Sequence, residues 1–309
     1  MKVSVKKDVH NGNQPIRVLK YNITGRLVDR DKEYIEKLLM NSKLDDKIKY
    51  RGENLSLSER QTPFIDENGT ISIHETFLSY IWIICYYFFV LYEEILVIPD
   101  AIRMGKKPRK EHNKELCERA KELFDYGISL IKTYSDWDKE YFPNPEYYDK
   151  NDEEGWYIER TNDLFVEVMN FILYHEIAHA ELEHIKKRKE NNLTDDDVKE
   201  IELEADRKAA DRILLSKESQ EKTELSIVIG VASLIFFKNN LSGGKWHPDI
   251  NIRLNNIINV FEPNNEHPFW AILCLVLKNW SNQFNLGLDE KGSYDNYKQL
   301  YNHLLSQVS

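Results

Sequence analysis

Cysteine is scarce in this chain. The 309 residues include three, Cys85, Cys117 and Cys274, an odd number with no Cys-x-x-Cys pair. That argues against a disulfide framework and a cysteine zinc site, and suits free thiols in a reducing compartment. Positive charge is short as well: 42 Lys and Arg stand against 52 Asp and Glu, a formal net charge of -10. A nucleic-acid binder presents a basic face that outweighs its acids, so no nucleic-acid partner is expected. The exceptions, clusters at Lys106 to Lys114 and Lys186 to Lys189, read as solubility and helix capping. The beginning lacks a long apolar h-region, so no signal peptide is expected and a cytoplasmic location follows, with peripheral membrane contact left open.

What the chain does have is apolar mass, 41% of its residues, enough for an extensive core in a single domain over 1–309 with no weak linker in the middle. Phe77 through Tyr92 is nearly unbroken in apolar and aromatic residues before Glu93-Glu94. It is short for a full membrane span and reads as a central buried helix. Short alternating stretches at Ile16 to Leu19, Tyr21 to Ile23 and Thr70 to Ile73 predict a small antiparallel sheet within an N-terminal part, 1–75, punctuated by Gly12, Gly25, Gly52 and Gly69. Residues 76–160 form a helical, aromatic-rich cover, in which Trp137 to Tyr157 resembles a rigid loop or lid that meets a partner or covers the core. The fold class is α+β and predominantly helical.

The chemistry is concentrated in His175-Glu176-Ile177-Ala178-His179. Leu164, Phe165, Val168, Phe171, Ile172 and Ile177 recur with helical spacing along the segment from Thr161, which predicts a mostly buried helix. On it His175 and His179 stand one turn apart on one face and reach one metal ion, while Glu176 points beside them toward a metal-bound water. Lys186 to Lys189 suit the helix C-terminus, where cations meet the negative end of the dipole. Catalytic zinc calls for a third protein ligand. Thr194 and Asp197 form an N-terminal cap for a second helix, in which Glu202 and Asp206 share a face. Glu202 is the candidate ligand, Asp206 the acceptor for the outer ring N–H of a ligating imidazole, and Glu204 the weaker ligand candidate. His184, near the end of the first helix, is a helix-terminal or supporting residue rather than a ligand, because the three-histidine pattern turns at a glycine before its third histidine and no glycine intervenes here.

These residues carry a resemblance. His175 to His179 followed by Glu202-Leu203-Glu204-Ala205-Asp206, then Trp246-His247-Pro248 and Arg253, resemble the gluzincin metallopeptidases with their M48-type pattern. In length and order of elements the chain is most similar to the Lit phage-exclusion peptidases, also called peptidase family U49. The specific likeness covers about residues 161 to 280, with a looser one at Glu75 to Tyr80. The resemblance implies a zincin-like core around 161–280, Zn2+ held by His175, His179 and Glu202, and Glu176 as catalytic base. It also implies an abortive-infection protease that cleaves a translation elongation factor when a phage-derived activator is present. The expected chemistry is hydrolysis through an activated water without a covalent intermediate, with His247 or Arg253 stabilising the oxyanion. The alternatives are an inactive zincin-type sensor with structural zinc, and a metal-independent helical interaction protein. His10, His74, His112 and His267 lack ligand spacing and are expected to be structural or superficial.

Overall fold

The computed structural model describes residues 13–52, 62–215 and 220–308; His10 and Gly12 lie outside them. A short 3-10 turn at Pro15–Leu19 leads into α1 (Lys20–Arg30) and α2 (Lys32–Met40). Strands β1 (Ile48–Arg51), β2 (Phe64–Ile65) and β3 (Ile71–His74) follow, then α3 (Glu75–Leu91). A π-helical segment, Tyr92–Val97, joins α3 to α4 (Ile98–Arg103). The remainder is α5 (Lys114–Ser129), α6 (Glu153–Glu181), α7 (His184–Glu190), α8 (Asp195–Leu214), α9 (Gln220–Ala232), α10 (Ile250–Phe261), α11 (Phe269–Phe284) and α12 (Tyr297–Ser306).

Two of the three expected strands are helical. Ile16 to Leu19 lies in the 3-10 turn, opened by Pro15 in its first turn, and Tyr21 to Ile23 begins α1. Ile23 and Leu27, one helical turn apart, are fully buried, and that spacing overrides the local alternation. The third stretch is β3. It is the central strand of a three-stranded sheet in the order β1-β3-β2, antiparallel to β2 and parallel to β1.

Every residue of α3 except Phe89 is buried. The continuous helix Glu75–Arg103 is long and apolar enough to cross a bilayer, yet within the protein this first part is core. Its amphipathic signal is weak because it is surrounded on all sides, as helices in the interior of large domains are. The His74 imidazole caps it by accepting from the Thr76 N–H at 3.2 Å. Glu75 is neutralised by Arg17 and Lys20, at 2.7 and 2.5 Å. Trp82 stacks on Tyr86 and meets the edge of Trp137, which anchors the irregular aromatic segment after α5 on the core. The segment is irregular as far as Asp152; Trp156 and Tyr157 already belong to α6.

The helix α6 runs longer than the apolar pattern alone suggests. Asp152 accepts from the Gly155 N–H at 2.5 Å, and Glu153 and Glu154 suit the positive end of the dipole. Gly155 has no space for a side chain, since a Cβ there would stand 1.7 Å from the Asp149 carbonyl oxygen. Packed against α1, α3, α8 and α9, α6 carries the His175–His179 run through the centre of the molecule. It stops at Glu183, which adopts the left-handed conformation at φ 58°. His184 therefore opens α7 instead of ending α6, and the basic residues Lys187 to Lys189 sit in the last turn of α7.

Candidate metal centre

The two helices that carry the candidate ligands are locked side by side. The α8 helix begins with a capping box: the Thr194 hydroxyl accepts from the Asp197 N–H at 3.2 Å, and the Asp197 carboxylate accepts from the Thr194 N–H at 2.8 Å. Its Val198, Ile201, Ala205, Ala209 and Ile213 are buried, and the small alanines let α8 lie close along α6. That approach brings Glu202 across from His175 and His179.

The donor atoms converge. Nε2 of His175 and Nε2 of His179 are 3.1 Å apart, and the Glu202 oxygens lie 3.5 and 3.6 Å from them. Zinc bonds of about 2.0–2.1 Å in a tetrahedron put neighbouring donors roughly 3.3 Å apart, so the three edges fit one ion. Among the described residues these three make up the one His, Cys, Asp and Glu group able to hold a metal, and each of them is buried. Glu176, 7% exposed, lines the same cavity.

Each imidazole of the candidate triad is backed differently. His175 Nδ1 lies 2.8 Å from Asp206, whose carboxylate receives Nε and Nη2 of Arg253, both at 2.7 Å. His179 Nδ1 lies 2.9 Å from Nδ1 of His184, and His184 Nε2 lies 3.1 Å from Glu204. Were His179 Nε2 to give its lone pair to a metal, one tautomer chain would satisfy all partners: His179 Nδ1–H would donate to His184, and His184 Nε2–H to Glu204.

The two carboxylates set the charge of the imidazoles. Burial disfavours a charged His175, but Asp206 and Glu202 outweigh it and push its pKa up to about 10. Burial and the adjacent charge of His175 hold His179 neutral, well below the usual imidazole value. Burial alone would raise Glu202 and Asp206, yet the imidazoles keep Glu202 far below the carboxylate range, and Arg253 with His175 keeps Asp206 at about 2. The carboxylates of Glu202 and Asp206 thus draw positive charge to His175.

The cavity beside the centre has a volume of about 240 Å³. Phe64 and Ile65 of edge strand β2 form one wall, with Phe77, Phe171, Val231 and Phe237 among the others. Gly230 keeps the floor low: a Cβ there would stand 3.1 Å from the Phe171 ring. The family model for peptidase U49 matches residues 71–273, about two thirds of the chain. The chain belongs to peptidase family U49. Neither characterised proteins nor solved structures give a match. The U49 match runs from β3 into α11 and includes α3, so it begins well before the stretch from 161 to 280 that the motifs alone delimit and ends within it.

Membership of this family, together with the metal-binding triad, makes the protein a peptidase of the zinc-site type. The residues singled out from the sequence lie at or around this U49 centre, Glu204 among them. His247, at the mouth, lies 3.3 Å from Glu202. Arg253 lines the cavity but spends two donors on Asp206. Of the other histidines described, His74 caps α3, His112 lies 3.3 Å from Glu94, and His267 pairs with Glu224 at 2.9 Å. Sequence reasoning missed Arg188, which pairs with Glu202 and lines the cavity, and the pairing of Glu204 with His184. A basic run on a short helix carries no sign of which cation turns inward. Glu204, the weaker ligand candidate, instead holds His184, a role that follows from the break at Glu183.

Proposed function

We propose that this U49 peptidase is a zinc-dependent endopeptidase of narrow range, with His175, His179 and Glu202 as the metal ligands and Glu176 as general base. The observation that carries the reading is a three-donor set that lines a cavity together with Glu176 and apolar walls: a structural zinc is closed by four protein ligands, and this set supplies three. When bound, zinc acidifies a water and polarises the scissile carbonyl. Glu176 takes the proton of the attacking water and passes it to the departing amine as the C–N bond breaks, so no covalent intermediate is needed. His247, 45% exposed in its side chain at the mouth, is assigned to the oxyanion. Arg253, bound through two donors to buried Asp206, holds that carboxylate against His175. The tautomer chain through His184 does the same for His179.

Phage exclusion follows from family membership; we propose further that the setting is the cytoplasm, the substrate a translation elongation factor and the activator a phage product, as the resemblance to the Lit peptidases implies. The three unpaired cysteines suit a reducing compartment. Incubating the purified chain with host elongation factor, with and without phage-infected extract, tests this. Cleavage that needs the extract and disappears in Glu176→Gln supports it, and an intact factor under both conditions removes that substrate.

A further inference from the structure

The far end of the long apolar helix is built inside out. In the π segment after Leu91, the Glu94 carboxylate is fully buried, held by the Tyr157 hydroxyl at 2.6 Å, the Asn113 backbone N–H at 2.8 Å and the Lys110 ammonium. Its neighbours Ile95 and Val97 are turned outward, 47% and 36% exposed. A buried carboxylate beside an exposed isoleucine reverses the ordinary distribution. One turn further, Ile102 and Met104 are 58% and 59% exposed.

These side chains do not hang from a fraying end. Gly105, at φ 69°, donates to the Ile102 carbonyl at 3.0 Å, and Lys106 donates to the Ala101 carbonyl at 2.8 Å. That pair of bonds is a Schellman stop, which ordinarily packs an apolar residue after the glycine against the helix. Here that residue is a lysine, and the apolar tip stays open. Arg103, Lys106, Lys107 and Arg109 are exposed around it, and the one acid between 95 and 109, Asp100, lies 3.0 Å from Arg103. In a chain of net charge -10 this is a local excess of cations over acids, coincident with exposed apolar side chains.

We infer that this tip docks on an anionic membrane surface, with Ile95, Ile102 and Met104 entering the headgroup boundary and Arg103, Lys106 and Lys107 meeting the lipid phosphates. Apolar residues ringed by long basic side chains have the chemistry of an interfacial anchor. Lysine is depleted in protein interfaces, which favours a bilayer over a protein partner. Because α3 is enclosed by the rest of the protein, the contact is peripheral. It explains what neither the catalytic centre nor the core requires: an ordered helix end that hides a carboxylate and displays isoleucine and methionine.

The test is co-sedimentation of the full chain with phosphatidylcholine vesicles, with and without phosphatidylglycerol, at low and high salt. The expected result is binding only when phosphatidylglycerol is present, weakened by salt. The Ile102→Ser/Met104→Ser and Lys106→Glu/Lys107→Glu pairs should each lower the partition coefficient by about tenfold or more, with Tm unchanged because all four side chains are exposed. No binding to the anionic vesicles, or wild-type binding by both paired variants, overturns the proposal. So does absence of vesicle binding together with a protein interaction that the same substitutions abolish.

Discussion

Asp206 Oδ1 lies 2.8 Å from Nδ1 of His175, and Arg253 grips both oxygens of the same carboxylate. One buried anion thus serves two elements: it holds His175, a candidate metal ligand, on α6 and ties α10 to α8. Asp206→Asn should keep the shape while removing the charge, and zinc affinity should fall by about 10- to 100-fold, the usual cost of losing an outer partner of a ligating histidine. Competition with a chromophoric chelator measures it. Asp206→Ala should in addition destabilise the fold by about 3–5 kcal/mol, since Arg253 is left buried without its anion.

The His179 side of the centre should respond more gently. His184→Ala removes the acceptor of His179 Nδ1–H and should lower zinc affinity by about tenfold. Glu204→Gln, at a position 47% exposed in its side chain, keeps an oxygen for His184 and should cost less. A Glu204→Ala protein with wild-type zinc affinity would show that His184 is not oriented through Glu204.

Gly230 sets the depth of the cavity floor. Gly230→Leu directs a side chain at Phe171, 3.1 Å from where its Cβ would stand. Peptide cleavage should fall well below the wild-type level while zinc stoichiometry is retained, at a stability cost of about 1–3 kcal/mol from overpacking. Unchanged turnover of a protein substrate would mean that the substrate does not use this part of the cavity.

The buried Glu94 gives a pH signature separate from the metal centre. Burial would raise its pKa, but the Asn113 N–H, Lys110 and the Tyr157 hydroxyl more than offset this and leave it below the ordinary value of 4.5. A carboxyl whose folded pKa is depressed contributes stability that is complete above the unfolded value and lost as pH falls through the folded one. Urea denaturation should therefore show wild-type stability declining below about pH 4.5. Glu94→Gln should start about 1–3 kcal/mol lower at pH 7 and decline less. Parallel curves for the two proteins would remove Glu94 from the acid transition.

The sequence exposes those parts of the structure that depend on local pattern. His175, Glu176 and His179 occupy adjacent helical positions, Thr194 and Asp197 make the capping box, and Glu202 and Asp206 share a face of α8. Each is a matter of spacing within one helix. The uninterrupted run from Phe77 likewise marks α3 as core. Ile16 to Leu19 and Tyr21 to Ile23 were open to misreading because three or four residues cannot separate a period of 2 from one of 3.6; Leu27, one turn beyond Ile23, holds the missing phase. The break at Glu183 was hidden because a left-handed glutamate has no signature of the kind that glycine gives. Arg188 on Glu202, the His184–Glu204 pair and the inward turn of Glu94 depend on which elements meet, and no local window contains that.

The most direct measurement is zinc content together with peptide-bond cleavage for the purified wild type, Glu202→Ala and Glu176→Gln. The expected result is one tightly bound zinc in the wild type and in Glu176→Gln, zinc lost in Glu202→Ala, and cleavage abolished in both variants. A wild-type protein without zinc, or a Glu202→Ala protein with full occupancy and activity, would contradict the two-helix metal centre.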